Sequence, residues 1–358
     1  EQRFDEHVDS VADHLTGGRD GPGMRRTTTG LVQHMPSPSS IIDQVLDATI
    51  APGFTAVGSS VRRRLSDWGP PVERDLSGET FVITGTTSGI GFEIACGLAA
   101  TGARVITVGR DRVRTEASAA DIGAEPVVAD MSDPDAVREA CRIIIAETDR
   151  IDGLVHNAGA LLDVRTENAG GIETTIAAQV IGPFLMTSLL LERLSSDRPT
   201  DPGRVITVSS GGMYAAGLSV GSLQMSADDY RGSEQYARAK RAQVTLNEMW
   251  AHHVDPKRVV FHSMHPGWAD TPGVRTSLPR FHRVLSPVLR SPADAADTVL
   301  WLLASEQGAA SSGGFWHDRR RRSIHRLPTT RRTDTADRRR QLWEWVTEIA
   351  GADPERSL

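Results

Sequence analysis

The sequence predicts an α/β protein built on an open, mostly parallel sheet with helices on its faces. Three observations predict it. A short apolar run at 81–83 breaks into a glycine-rich turn, TGTTSGIG at 84–91, which opens a mostly apolar helical pattern through Phe92, Ile94, Leu98 and Ala99. From there to about residue 317, short β-branched runs alternate with helical periodicities, the order of a parallel sheet with crossover helices. Each constellation of polar residues follows a strand, and open α/β sheets bind ligands outside the carboxyl ends of their strands.

Residues 1–39 read as weakly structured, because TGGRDGPG at 16–23 and MPSPSS at 35–40 are dense in helix breakers. Residues 40–74 read as a helical N-terminal extension. Ile41, Ile42, Val45, Leu46 and Ile50 recur at helical spacing behind Ser40, and Val57, Val61 and Leu65 set out a second short helix after Pro52 and Gly53. Short helices are marginal without tertiary contact, so packing on the main domain is the preferred expectation. Guarding the mouth of a site and lying on a membrane surface are the alternatives.

The main domain is expected over 75–320, with strands at 81–83, 104–108, 126–129, 151–155, 205–208, 258–263 and 313–316. An amphipathic helix is expected at 134–149, a helix starting near Gln235 and another at 292–303. The apolar run at 176–191 carries Gln179 and Pro183 and falls short of the roughly 20 residues of a membrane span, so it reads as a buried core helix. Residues 271–292, rich in proline and carrying Phe281, Val284 and Leu285, read as a lid over a substrate. Residues 321–358 combine an arginine-rich segment, expected to be solvated or partly ordered, with a last helix marked by Leu342, Trp345, Val346 and Ile349.

Composition narrows the function classes. A chain of 358 residues can bury a substantial core, and a net charge of -6 without a basic balance argues against nucleic acid. Cys96 and Cys141 read as buried free thiols, and with no secretory signal at the start a cytoplasmic location is expected. His252 and His253 are adjacent and lack the spacing of a metal-ligand cluster, so no metal site is expected. Gly-x-Ser-x-Gly is missing around Ser210, which leaves a hydrolase elbow unsupported.

The turn at Gly85, Thr87, Ser88, Gly89, Ile90 and Gly91 suits a dinucleotide pyrophosphate. Glycine removes the Cβ atoms that would block a close ligand, and the unpaired N–H groups of a first helical turn attract an anion. A tight strand–helix connection is the alternative. Arg110, with Arg112 and Arg114 close behind, follows the second strand where an acidic residue would favour an unphosphorylated ribose, so a 2′-phosphate is the better fit; a solvated basic face is the alternative. Tyr236 and Lys240, four apart at a helix start, share one face. A nearby ammonium favours the phenolate and makes Tyr236 a usable acid-base group, with Ser210 hydrogen-bonding the substrate oxygen. Such a pair alone also fits a plain surface or core position.

Together TGTTSGIG at 84–91, NAG at 157–159, SS at 209–210, YARAK at 236–240 and HPGWADT at 265–271 resemble the short-chain dehydrogenase/reductase superfamily, over about residues 75–317. VITVSSGGM at 205–213, MHPGWADTPGV at 264–274, ADTVLWLL at 296–303 and GGFWHDR at 313–319 are similar to its subgroup of dehydrogenase/reductase family member 12 and bacterial relatives. The resemblance implies a single Rossmann-like domain, a three-layer sandwich with a mostly parallel seven-stranded sheet, and a homodimer or homotetramer. It implies that Tyr236 donates and accepts the proton, that Lys240 lowers its pKa and holds the nicotinamide ribose, and that Ser210 orients the substrate. By the same carry-over Asp130 and Met131 lie beside the adenine, Asn157, Ala158 and Gly159 line the cofactor cleft, and Pro266, Gly267, Trp268 and Thr271 lie over the nicotinamide.

Two positions depart from the family pattern. TIAAQVIG at 175–182 puts Gln179 where an asparagine usually supports a water and lysine proton relay, and His156 stands where a second asparagine is common. A carboxamide moved by one methylene leaves room for a slow or non-catalytic protein. The resulting expectation is an NAD(P)(H)-dependent oxidoreductase that transfers hydride between nicotinamide and a lipophilic carbonyl or alcohol, with NADP(H) preferred and NAD(H) possible. The alternatives are a non-catalytic NADP-binding regulator and a membrane-surface interaction protein.

Overall fold

Apolar and β-branched runs form eight strands: β1 (Thr80–Thr84), β2 (Arg104–Gly109), β3 (Glu125–Val128), β4 (Gly153–His156), β5 (Gly203–Val208), β6 (Val259–Met264), β7 (Gly314–His317) and β8 (Arg320–Arg321). The computed structural model describes residues 38–195, 197 and 201–352, so the expectation for residues 1–39 falls almost wholly outside the described residues. The strands make one sheet in the order β3-β2-β1-β4-β5-β6-β7-β8, parallel except for β8. The eighth strand corrects the expected count of seven. Asp318 and Arg319 take φ of 54° and 52°, a left-handed pair that turns the chain back so that Arg320 and Arg321 lie antiparallel to His317 and Trp316. The strand order reverses between β1 and β4, and this switch point opens the crevice in which such sheets bind ligands.

Strands β1, β4, β5, β6 and β7 are buried along their whole length, the consequence of helices covering both faces of a parallel sheet. On one face the helices Gly89–Ala99 and Pro292–Ala304 pack together over Phe81, Ile83, Val155 and Ile206. On the other, Pro134–Glu147, Gly182–Leu194, Gly232–His253 and Ala336–Ala350 close over Val82, Leu154, Val205 and Phe261. Short polar caps start these helices: Asp133 accepts from Asp135 N ahead of Pro134–Glu147, and Ser291 accepts from Asp294 N ahead of Pro292–Ala304.

The helix expected through 176–191 is longer than the sequence suggests. It runs from Thr174 to Leu194, 21 residues, with a π turn at Ala177–Ile181. Its length and apolarity would let it cross a membrane, but most of it is buried inside the protein.

The N-terminal extension forms three helices, Pro38–Ala48, Ile50–Phe54 and Ala56–Leu65; the first and third pack by their polar faces, the second through Phe54. Ile42, Val45, Val57 and Leu65 are exposed, at 41%, 57%, 57% and 37%, whereas Asp43, Ser59 and Arg62 are buried. Ion pairing sets this rotation: Arg62 Nε donates to Asp43 Oδ1 at 2.8 Å and its Nη1 to Asp318 Oδ2 at 2.6 Å. The arginine-rich segment is likewise not a solvated tail. Arg322 forks onto both oxygens of Asp43 at 2.7 and 2.8 Å, Arg326 reaches Asp47 at 2.5 Å, Arg319 pairs with Asp297 at 2.7 Å and Arg339 with Glu248 at 2.7 Å. Each partner lies far away in sequence, out of reach of a local reading.

Candidate active site

Thr84, the last residue of β1, ties the switch point together. Its Oγ1 accepts the N–H groups of Asn157 and Ala158, both at 3.0 Å, while Asn157 Nδ2 donates to the carbonyls of Thr84 at 3.0 Å and Gly85 at 2.9 Å. The glycines here leave no room for side chains. Gly85 has φ of 75°, and a Cβ on it would sit 2.8 Å from Ala158 Cα; one on Gly91 would sit 2.3 Å from Gly85 O. Ser88 precedes the helix Gly89–Ala99 in an extended conformation, and its side chain does not cap the first-turn N–H groups. Thr87, Ser88, Gly89 and Ile90 are only partly buried, and Thr271 Cγ2 would lie 3.3 Å from a Cβ on Gly89. A bare cradle of N–H donors at a helix start fits a pyrophosphate.

Lys240, Gln179 and Gly159 meet at one point: a Cβ on Gly159 would lie 3.0 Å from Gln179 Oε1 and 3.5 Å from Lys240 Nζ. Lys240 Nζ donates to Val208 O at 3.0 Å and sits 5.4 Å from the Tyr236 ring centroid. The π turn carries Gln179, whose Nε2 donates to Ala160 O at 2.8 Å while Oε1 is buried without a protein partner. Extra residues in helical turns of this kind recur at functional sites. Ser210 caps the turn Gly211–Ala215 by accepting the N–H of Gly212 at 3.1 Å, and it lies beside Tyr236: a Cβ on Gly212 would sit 3.5 Å from Ser210 Oγ and 4.0 Å from Tyr236 Cδ1.

The electrostatics differ from the sequence expectation. Tyr236 as a whole is half-buried but its hydroxyl is enclosed, and this burial pushes the phenol up to about 12 against the opposing Ser210 hydrogen bond. Lys240 is 2% exposed, and burial pushes its ammonium down to about 7. Desolvation therefore outweighs the expected pull of the ammonium on the phenol.

The remaining candidates spread along the crevice. Pro266, Gly267 and Trp268 follow β6, with Trp268 edge-on to Phe281 at 5.2 Å, and Thr271 caps Pro272–Ser277. Residues 271–292 form the short helices Pro272–Ser277 and Pro279–Leu285 and a 3-10 turn; Val284 is 75% exposed. Arg110 lies one strand away from the glycine turn, at the end of β2, exposed and without an ion pair among the described residues. Asp130 Oδ1 accepts from both Ser132 N and Ser132 Oγ at 2.8 Å, and Met131 is buried. His156 is no cleft group. Its Nε2 is 2.8 Å from Thr187 Oγ1, and burial pushes it down to about 3, so it is neutral.

Sequence reasoning missed a group directly behind these loops. His265, His317, Arg290, Asp318 and Phe54 are each at most 3% exposed. Arg290 reaches Asp318 Oδ1 at 2.5 Å, and His265 Nδ1 accepts the N–H of Gly211 at 3.0 Å. His265 opens the HPG motif, the one signal that pointed here.

A doubly wound sheet with a glycine cradle at its switch point and a tyrosine–lysine–serine set beside it, the lysine buried, defines a nucleotide-dependent oxidoreductase. The sequence model of the short chain dehydrogenase family matches residues 79–280, and the chain belongs to that family. It acts on CH–OH or carbonyl groups with a nicotinamide cofactor. Human dehydrogenase/reductase SDR family member 12 is 37% identical over 287 residues, 78% of this chain and 88% of that protein. Human retinol dehydrogenase 12 is 31% identical over 285 residues, covering 77% and 87%. Among solved structures, the 3-ketoacyl-(acyl-carrier-protein) reductase of Brucella melitensis complexed with NADH has a TM-score of 0.54 at 25% identity, covering 67% of this chain and 96% of that one.

Proposed function

We propose that this chain is an NADP(H)-preferring, cytoplasmic short-chain enzyme that interconverts a lipophilic carbonyl compound and its alcohol. The observation that carries the reading is the meeting of Tyr236, Lys240, Ser210 and Gln179 at the strand ends beside the glycine cradle. When bound, the nicotinamide supplies hydride to the carbonyl carbon or takes it from the alcohol. Tyr236, protonated at neutral pH because its hydroxyl is enclosed, holds the proton that the carbonyl oxygen gains. Ser210 donates a hydrogen bond to the same oxygen. Lys240, poised at about 7, holds or releases a proton near the phenol at neutral pH, and Gln179 stands against it.

Two features support the finer choices. Arg110 is exposed and unpaired among the described residues, while the neighbouring Asp111 caps the helix Arg112–Ile122 by accepting from Arg114 N at 2.9 Å, so its carboxylate is engaged away from a ribose. The apolar Trp268–Phe281 contact and a relative named for retinol support a lipophilic substrate.

Titration with NADPH and NADH, followed by a carbonyl screen, tests the reading. Tight NADPH binding, weaker NADH binding and a Tyr236→Phe variant that keeps its cofactor affinity but loses at least ~100-fold in turnover are expected. Wild-type turnover in that variant, or a folded protein that binds neither cofactor, would overturn it.

A further inference from the structure

The helices of residues 38–65 lie outside the sheet, yet they reach both loops of the candidate site. The carbonyl of Phe54 accepts the N–H of Trp268 at 2.8 Å and Arg290 Nε at 3.1 Å. The carbonyl of Gly53 accepts from Arg62 Nη1 at 2.8 Å and Arg290 Nη2 at 3.1 Å. Arg290 in turn holds the second loop face, its own N–H donating to Trp268 O at 2.8 Å. The chain after β6 is thus stitched to residues 53–54.

The ring of Phe54 serves the other loop. It stands edge-on to His265, with centroids 4.3 Å apart, and that imidazole also stacks on His317 with centroids 4.9 Å apart. His265 Nδ1 accepts the N–H of Gly211, the residue after Ser210, which requires a neutral ring. The packing is tight: a Cβ on Gly211 would lie 2.9 Å from Phe54 Cε2 and 3.0 Å from His265 Nε2. Phe54, His265 and Gly211 therefore pack against one another, and Ser210 is the next residue along.

We propose that Phe54 and His265 are positioning residues, and that the docked N-terminal extension sets the Ser210–Gly212 turn and the Pro266–Trp268 loop for catalysis. This rests on the reading of Ser210 as the residue that orients the carbonyl oxygen. The buried chain of charges Asp43, Arg62, Asp318 and Arg290 seats the extension as a unit, because removing any member leaves another charge buried and uncompensated.

The test uses the full chain with Phe54→Ala, Phe54→Leu, His265→Leu and His265→Asn. Phe54→Ala and His265→Leu are expected to lower kcat at least about tenfold, as a small displacement in a catalytic constellation does. NADPH affinity should stay within about twofold, because the Phe54 O to Trp268 N–H bond is main-chain. Phe54→Leu should recover part of the loss, and His265→Asn, whose carboxamide oxygen can accept the Gly211 N–H, should exceed His265→Leu. Amide hydrogen exchange gives a readout independent of turnover: residues 210–213 should exchange faster in Phe54→Ala and His265→Leu while β4, β5 and β6 stay protected. Wild-type kcat in the folded variants, or unchanged exchange at 210–213, overturns the proposal. If Phe54→Ala does not fold, Phe54→Leu and His265→Leu decide by the same readouts. A wild-type protein without turnover overturns the enzymatic reading instead, and exchange then decides the positioning role by itself.

Discussion

Acid should unfold this protein steeply, because four histidines are buried in their neutral form. His156, His262, His265 and His317 are each at most 3% exposed. Burial pushes them down, His156 to about 3, His262 and His317 to about 4, and His265 well below its ordinary range. In an unfolded chain each titrates near 6.5. Between those limits the unfolded state binds protons that the native state refuses, so stability that is complete above pH 6.5 is lost as the pH falls toward 4. From pH 7.5 to 5.5 each histidine removes about 1.4 kcal/mol, and the four together about 5 to 6 kcal/mol. Asp152 opposes this: burial raises its carboxyl to about 6, so the native state takes up that proton first and regains roughly 1 kcal/mol over the same interval. Lys240 adds a loss of roughly the same size, because burial lowers its ammonium to about 7 while the unfolded chain already holds that proton at pH 7.5. A net loss of about 5 to 6 kcal/mol remains, a large share of the roughly 5 to 15 kcal/mol that holds most domains folded. Urea unfolding followed by tryptophan fluorescence at pH 7.5, 6.5 and 5.5 measures it. His156→Asn should flatten the dependence by about 1.4 kcal/mol, roughly a quarter of the net change, since one of the four histidine proton sites is gone. A folding free energy that changes by less than about 1 kcal/mol between pH 7.5 and 5.5 would refute the neutral burial of these rings.

Arg110→Asp should weaken NADPH at least about tenfold and NADH by much less, because only the phosphorylated ribose loses a charge-assisted partner. Equal losses, measured by fluorescence titration, would count against a ribose-phosphate contact. Asp318→Asn should cost about 3 to 5 kcal/mol of stability at pH 7.5, since it strips the shared carboxylate from buried Arg62 and Arg290. Urea unfolding checks it, and a cost below about 1 kcal/mol would mean that the two guanidiniums are satisfied elsewhere.

Much of the sheet was legible because its signal is local. Val105, Ile106 and Val108, or Val205, Ile206 and Val208, announce a buried strand by themselves, and the polar groups after each strand announce its functional end. The convergence of Gln179, Gly159 and Lys240 could be inferred from topology. The directions of the Tyr236 and Lys240 shifts could not, because spacing reports proximity while desolvation depends on everything packed around the pair. The N-terminal helices misled for a related reason. Their apolar stripe promised an inward Val45 and Val57, but Asp43 and Arg62 turn inward because their partners arrive from residues 318–322. The same distance hid the role of the arginines near the C-terminus, and β8 depended on two left-handed residues, Asp318 and Arg319, that no composition signal marks.

The pairing of Arg62 with Asp318 spans 256 residues and that of Asp43 with Arg322 spans 279. A ribosome therefore delivers the N-terminal helices first and their partners last, roughly ten to fifty seconds later at ordinary elongation rates. Through that interval the glycine cradle, β4 and β5 can assemble, while Phe54 has no seat, because β7 and the turn at Asp318 do not yet exist. Completion of the site is thereby tied to synthesis through residue 322. A prematurely terminated product that ends before residue 318 emerges with most of its sheet but with its first helices undocked, leaving the quality-control machinery an exposed amphipathic segment by which to recognise it.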